Sequence, residues 1–379
     1  MRKIHVFLDK VSKRFGKVEA VRNLSIEVEE GSFYTLLGPS GCGKTTTLRM
    51  IAGFYNPDQG EIYFNGKPQK GIPPNKRETS IIFQEYALFP HMNVFKNISY
   101  GLKLKHLNKK EIQMKVEEIL ELVGLQGLEK RFPHELSGGQ QQRVALSRSL
   151  IIKPKILLMD EPLSNLDARL RVKIREELKQ IQKQLKITTI YVTHDQSEAL
   201  VLSDKIAVMV KGKAKQIGSP YNIYYEPTDS RVANFIGDTN LLKARVLEIS
   251  NNELSVDIGN SILVMRKEII RKNNLKIKKG SWIILMIRPQ YMVIYTKTDG
   301  MHSLDCSIRG IVQDKSFFGM FMRYKIGLKG LKETIIVDDY YFHSHKDETI
   351  QNEVLIGFKS SDVYIFPSDD NSEPLLRSK

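Results

Sequence analysis

The segment Gly38-Pro39-Ser40-Gly41-Cys42-Gly43-Lys44-Thr45 constrains this chain more than any other. Before it, Ser32–Leu37 reads as a short buried strand. After it, Thr45–Ala52 has a helical pattern that closes at Gly53. Strand, glycine-rich loop and helix in that order make a phosphate-binding loop. Successive backbone N–H groups converge at a helix start, where the peptide dipoles favour an anion. Glycines at 38, 41 and 43 are expected to supply the left-handed conformations that such curvature needs. Lys44 is expected to reach the β- and γ-phosphates and the Thr45 hydroxyl to ligate Mg²⁺. Pro39, Ser40, Cys42 and Thr46 complete the expected nucleotide-binding stretch. Cys42, at a helix start, invites two readings: a thiol with a lowered pKa, whose alkylation blocks turnover, or a small side chain filling the loop.

A second element is Ile156-Leu157-Leu158-Met159-Asp160-Glu161-Pro162, four apolar residues ending in two adjacent carboxylates. At the ligand edge of a parallel sheet, Asp160 would hold Mg²⁺ through water and Glu161 would act on the attacking water. Thr188–Val192 is another buried-strand signal. Between them Ala168–Leu185 carries an apolar stripe of Leu170, Ile174, Leu178, Ile181 and Leu185, the pattern of a helix with one buried face. From Ala87 to about Lys153 the pattern is helical, clearest over Glu111–Val123. The expected fold class is α/β, a P-loop NTPase cassette with a helical insert at about 87–153.

The third element is Leu136-Ser137-Gly138-Gly139-Gln140-Gln141-Gln142-Arg143, a Ser-Gly-Gly turn opening a helix over Gln140–Leu150. It is a second anion cradle in one chain, and it makes sense if it caps a γ-phosphate bound by another copy. This segment resembles the signature motif of ATP-binding-cassette ATPases. Other residues match that family's pattern. Gln84 stands at the Q-loop, Ser164-Asn165-Leu166-Asp167 resembles the D-loop with Asn165 where Ala is more usual, and His194 matches the switch histidine. Phe15 matches the aromatic that stacks on adenine. The resemblance implies ATP and Mg²⁺ as ligands, with Glu161, His194 and Gln84 as catalytic residues. It implies Thr45, Gln84 and Asp160 at the metal, and Ser137, Gly138, Gly139, Gln140 and Asp167 among the nucleotide contacts. It also implies a head-to-tail dimer that closes on two ATP molecules and reopens after hydrolysis.

After Pro220 the texture changes to short β-type runs, so the expected division is 1–240 for the cassette and 241–379 for an all-β domain. Ile284–Ile287 leading to Met292–Tyr295 is echoed about 70 residues later by Val354–Gly357 leading to Asp362–Ile365, a faint internal repeat. Two copies of a small β-barrel-like unit would produce it. The region resembles the paired oligonucleotide-binding-like (OB-like) domain of importer ATPases, on Gly218-Ser219-Pro220, Phe235–Asn240, Ile287-Arg288-Pro289 and Gly310–Gly319. Gln290 stands where an acid often follows the Pro. A dimer contact or a regulatory site is the role expected for that domain. His343-Ser344-His345 reads as a surface pair rather than a metal site.

Net charge is +15, spread through both parts without a long basic arm. No apolar run approaches a membrane span, and two cysteines exclude a disulfide framework. Cytoplasmic placement, peripheral to the cell membrane, is expected, with permease subunits as partners and, through them, a solute-binding protein. No nucleic acid partner is expected. Thr45–Gly53, Tyr86–His91 and Gly237–Asn240 look most like polyamine (spermidine/putrescine) importers. Ferric iron, phosphonate, thiamine and sugar importers carry close relatives of the same segments.

Overall fold

The computed structural model describes residues 3–259, 261–266, 277–295, 304–328, 334–340 and 353–368; His343–His345 lie outside these. The chain divides into two compact units, Met1–Glu226 and Pro227–Lys379, so that residues 227–240 group with the second.

The first unit opens with a hairpin of two twelve-residue strands, β1 (Ile4–Phe15) and β2 (Val18–Glu29). With β4 (Gln59–Phe64) and β5 (Lys67–Pro68) they form a sheet in the order β2-β1-β4-β5. The second sheet contains β3 (Phe33–Leu37), β6 (Thr79–Ile82), β7 (Ile156–Asp160), β8 (Thr188–Thr193), β9 (Lys205–Val210) and β10 (Lys213–Gly218). Its order is β10-β9-β3-β8-β7-β6, parallel except for the β9–β10 hairpin. Every residue of β3, β7 and β8 is buried, which is why these strands read as unbroken apolar runs rather than alternating ones.

Alternation persists at the level of the cores. Leu157 and Met159 of β7 face one cluster, with Ile98, Val116, Leu146 and Tyr191. Ile156 and Leu158 face the other, with Val6, Leu8, Leu48 and Val192. The helix α1 (Lys44–Ala52) follows β3. The helical insert between β6 and β7 holds α2 (Val94–Leu104), α3 (Lys109–Leu122) and α4 (Gly138–Leu150). Asn93 caps α2, and Asn108 with Glu111 makes a capping box on α3. The helix α5 spans Ala168–Leu185, α6 Gln196–Leu202 and α7 Pro220–Tyr225.

On α5 the expected stripe is only partly buried. Ile174 and Leu178 are inside, Leu170 and Ile181 are half-buried, and Leu185 is 43% exposed. Gln182 takes the inner position instead, its amide donating to the carbonyls of Gly31 (2.8 Å) and Ile187 (2.9 Å). The Ile187 carbonyl also accepts the Thr189 hydroxyl at 3.3 Å, whereas an apolar residue at 182 would take from the Gly31 carbonyl its side-chain donor.

The second unit begins with α8 (Ser230–Phe235), whose Ala233 packs on Met286 and Phe366. The buried Arg288 guanidinium donates to the carbonyls of Ile236 and Asp238, which ties residues 227–240 to this unit. Ten strands follow: β11 (Asn240–Ile249), β12 (Glu253–Asp257), β13 (Ile262–Arg266), β14 (Trp282–Ile287), β15 (Val293–Tyr295), β16 (Cys306–Phe317), β17 (Met322–Leu328), β18 (Thr334–Asp339), β19 (Glu353–Phe358) and β20 (Val363–Pro367). All pairings are antiparallel, in two five-stranded sheets ordered β13-β12-β11-β14-β20 and β15-β19-β16-β17-β18. This is the OB-like all-β region expected from the sequence, and the faint repeat is real. Each copy runs strand, short 3₁₀ turn, strand, with Pro289–Tyr291 and Ser360–Asp362 as the turns.

The copies exchange their fifth strands. β15, which ends the first copy, pairs with β19 of the second, and β20, which ends the second, pairs with β14 of the first. One hydrophobic cluster spans both sheets, with Leu285, Ile308, Ile326, Ile356 and Ile365 inside it. Ile365→Ala on β20 is therefore expected to cost about 2–4 kcal/mol. Amide exchange should quicken in β14 and β11 of the other copy as well as in β19, read by denaturant titration with hydrogen-exchange mass spectrometry.

Candidate nucleotide-binding site

Four loops leave the same edge of the parallel sheet. The phosphate loop follows β3, Gln84 follows β6, Glu161 follows β7 and His194 follows β8. Register brings the strand ends level, Leu37 opposite Thr193, Asp160 opposite Val192 and Ile82 opposite Met159. Ligands of open parallel sheets bind at this carboxyl edge.

Lys44 is 5% exposed, and its ammonium lies over the loop, donating to the carbonyls of Gly38 (2.7 Å) and Pro39 (3.0 Å). Gly41 and Gly43 have positive φ, 75° and 100°, as expected. Gly38 does not: it is required by close approach, because a Cβ there would overlap the Met209 carbonyl oxygen and crowd Cys42 Sγ. Ser40 and Gly41 are exposed, and Pro39, Thr45 and Thr46 are partly so. The Thr45 hydroxyl donates to Asp160 Oδ1 at 2.8 Å, joining the helix start to the end of β7. Burial pushes the Asp160 carboxyl above the usual range, against the opposing pull of that bond.

Cys42 departs from the activated-thiol reading. Its side chain turns into the core beside Leu36 and Met209, and burial pushes its thiol up despite the nearby Lys44. Desolvation of a thiolate outweighs the helix start here, so the space-filling reading holds.

Glu161 and His194 meet. His194 Nδ1 lies 2.9 Å from Glu161 Oε2, and a carboxylate acceptor requires the proton on Nδ1. Glu161 itself has φ of 46°, a left-handed conformation uncommon for a residue with a Cβ, and its N–H is held by the Val192 carbonyl at 3.0 Å. Such a conformation costs of order 1–3 kcal/mol and persists where neighbours enforce it.

Beneath His194 lies a carboxylate that sequence reasoning missed. Glu198 is 3% exposed, and its Oε2 accepts from the Tyr191 hydroxyl (2.8 Å) and the Thr193 hydroxyl (2.6 Å). The Thr193 oxygen in turn accepts the Asp195 N–H at 3.0 Å, so both neighbours of His194 are fixed. Asp195 followed three residues later by Glu198 has the spacing of a capping box, yet the Glu side chain turns into the core instead. Burial raises the Glu198 pKa, and both hydroxyl bonds oppose it.

Gln84 is exposed, and its carbonyl accepts the Asn165 side-chain amide at 3.0 Å. The unusual Asn165 thus links the two loops. Two residues on, Tyr86 and Ala87 both have positive φ, and Arg148 of α4 donates to both of their carbonyls, at 3.0 and 2.8 Å. Arg148 stacks over Phe89 as well, and sequence reasoning missed its role. Phe15 presents a 44% exposed ring at the end of β1, edge-on to Tyr55.

Ser137 and Gln140 close a capping box on each other, Ser137 Oγ accepting the Gln140 N–H at 3.4 Å and Gln140 Oε1 accepting the Ser137 N–H at 2.9 Å. A Cβ at Gly138 or Gly139 would crowd Leu166 or Leu170, so the glycines let α4 pack on the start of α5. Asp167 caps α5 through the Leu170 N–H at 2.9 Å. Among the described residues no hydrogen bond joins Ser137–Gln140 or Asp167 to the phosphate loop.

The sequence profile described as ABC_tran, ABC transporter, matches residues 21–164. An Fe(3+) ions import ATP-binding protein of Fusobacterium nucleatum is 41% identical over 98% of this chain and 96% of its own length. This chain belongs to the ABC transporter family. A spermidine/putrescine import ATP-binding protein of Thermotoga maritima is 40% identical to this ABC ATPase, over 95% of the chain and 97% of the relative. Among solved structures, a dimeric ATP-binding cassette in a post-hydrolysis state, bound to ADP and Pi, matches with a TM-score of 0.52 and 29% identity. It covers 57% of the ABC ATPase and 98% of itself. As an ABC ATPase this chain binds ATP, and no described helix is long and apolar enough to cross a membrane.

For the buried thiol the expected outcome is slow chemistry. At pH 8, iodoacetamide should label Cys42 of the native ABC ATPase roughly tenfold or more slowly than the unfolded chain, followed by peptide mass spectrometry.

Proposed function

We propose that this chain drives solute import by hydrolysing ATP in a head-to-tail pair of copies. The observation that carries the reading is the Glu161–His194 pair, 2.9 Å apart at the strand edge that bears the phosphate loop. In this reading the loop N–H groups and Lys44 hold the phosphates, and Phe15 stacks on the base. Glu161 orients the attacking water and takes its proton, while His194 fixes the carboxylate from its other side. The Thr45 hydroxyl and the Asp160 carboxylate, 2.8 Å apart, are the hard oxygen donors that suit Mg²⁺, with Gln84 as a further oxygen ligand. When bound, that ion neutralises charge on the phosphates.

Ser137, Gly138, Gly139 and Gln140 face the nucleotide of the second copy, and Asp167 borders the same interface. Support comes from the lack, among the described residues, of any hydrogen bond between them and the phosphate loop of the same chain, and from the dimeric form of the solved cassette. Gln84 transmits the state of the site to permease subunits at the cytoplasmic face of the membrane. Asn165 and Arg148 hold its loop between the D-loop and the helical insert. A solute-binding protein delivers the cargo.

Polyamine is the proposed cargo. The Thermotoga maritima relative's name supports it, as do the segments Thr45–Gly53, Tyr86–His91 and Gly237–Asn240. The Fusobacterium nucleatum relative, matched over 98% of the chain, favours ferric iron as the second reading. Reconstituted with the neighbouring permease and binding protein, the complex should hydrolyse ATP faster with spermidine-loaded binding protein. Stimulation by ferric iron alone would replace polyamine with iron.

Glu161→Gln should still bind ATP and form a stable dimer, with turnover down roughly 10²–10⁴-fold. Phosphate release and size-exclusion chromatography with ATP check both halves, and undiminished turnover would remove Glu161 from its role.

Asn165→Ala removes one neutral hydrogen bond between the two loops, worth about 1 kcal/mol. A few-fold fall in permease-stimulated turnover is expected, with ATP affinity unchanged by equilibrium titration.

A further inference from the structure

At the opposite edge of the same sheet lies a cavity of about 550 Å³ that the nucleotide chemistry does not use. Thr188, which lines it, is the first residue of β8, whereas the loop carrying His194 leaves that strand's other end. The two ends are separated by roughly 16 Å of strand. The cavity is walled on one side by the helical insert, through Ile119 and Leu122 of α3 and by Ile151 just beyond α4. On the other side Leu185, Ile187 and Thr188 close it, with His5 from β1. A volume of this size suits a small organic molecule.

His5 belongs to the inner wall of the cavity. The residue is 3% exposed, and its Nδ1 lies 2.6 Å from the Thr188 hydroxyl. That hydroxyl oxygen already accepts the Gly31 N–H at 2.9 Å. Thr188 is itself 1% exposed, and among the described residues the acceptor recorded beside its own proton is His5 Nδ1. Donation to Nδ1 leaves the neutral ring with its proton on Nε2. Burial, which holds this imidazole below its ordinary pKa, agrees with the neutral form. His5 Nε2 is buried and has no hydrogen-bond partner among the described residues. A nitrogen so enclosed offers the cavity no hydrogen bond, and polar recognition falls to the rim.

The rim supplies charge. Lys115, Lys153 and Lys186 line the cavity without an ion pair among the described residues, whereas Lys155 is paired with Glu78 at 2.6 Å. Two acids also line it. Glu30 is paired with Lys3 at 2.8 Å, and Glu118 stands on α3 one turn from Lys115. The balance of unpaired charge is cationic. Leu185, exposed on an otherwise polar turn of α5, is apolar surface presented to this space.

We infer that this cavity is a binding site for a small amphiphilic carboxylate, its oxygens on the lysine rim and its apolar body against Leu122, Ile151 and Leu185. A neutral molecule of the same shape would fill the apolar part but satisfy none of the cationic rim. A free inorganic anion would satisfy the rim and leave the apolar walls wet. Because the walls belong to the helical insert and to the sheet lobe, the bound acid bridges the two.

The test uses the full chain with 4-phenylbutyrate, its neutral amide 4-phenylbutyramide, and inorganic phosphate, read by titration calorimetry and hydrogen-exchange mass spectrometry. The carboxylate is expected to bind one to one, about tenfold or more tighter than the amide or phosphate. It should slow exchange in residues 112–122 and at the start of β8. Leu122→Trp, which fills the space, should abolish binding with basal ATP turnover unchanged. Lys115→Gln with Lys186→Gln should weaken carboxylate binding about fivefold or more and leave amide binding unchanged. Equal binding of acid and amide, retention of binding in Leu122→Trp, protection elsewhere in the chain, or no binding at millimolar acid would each overturn the assignment.

Discussion

The parallel pairing of β3, β8, β7 and β6 is the constraint on which the rest of the first unit depends. Parallel strands need crossovers, so each strand end at one edge is followed by a loop and then a helix. Polar groups leave a sheet buried on both faces at its strand ends, and these loops take those of the carboxyl edge. The chemistry therefore collects there by topology. The Thr45–Asp160 hydrogen bond ties the first of these loops to the end of a strand two positions away in the sheet. A shift of one residue in β7 would bury Glu161 and turn Asp160 away from Thr45.

Much of this was legible because each signal combined composition with order. Ala168–Leu185 is a helix at those very bounds, and Ile156–Asp160 is a buried strand. What the sequence hid were residues whose role depends on a partner far away in the chain. Gln182 looks like surface until the carbonyls of Gly31 and Ile187 are seen to accept from it. Glu198 has the spacing of a helix cap, and only the inward Tyr191 and Thr193 hydroxyls redirect it. Cys42 was ambiguous because the helix start and burial act oppositely on a thiol, and only the packing decides which is larger. Gly38 carried a correct identity for a different reason, contact rather than backbone conformation.

Two kinds of rigidity are present around the candidate site. Glu161 and the Tyr86–Ala87 turn hold left-handed conformations enforced by neighbours, Val192 for the first and Arg148 for the second. The His194 loop is held differently, by a chain of hydroxyls ending on a buried carboxylate. The first kind stores strain at the loop, and the second transmits the position of α6 to the histidine. Both place the functional side chain by groups that never touch the nucleotide.

The second unit offers a different lesson through its exchanged strands. Neither copy of the repeat owns a complete sheet, because β14 is finished by β20 and β19 by β15. A single copy set free would end in a strand with no sheet to join and a sheet edge with no strand to cover it. It could close only by trading that strand with another copy of itself, so the two-fold partnership now written into one chain is the intramolecular form of a swapped dimer.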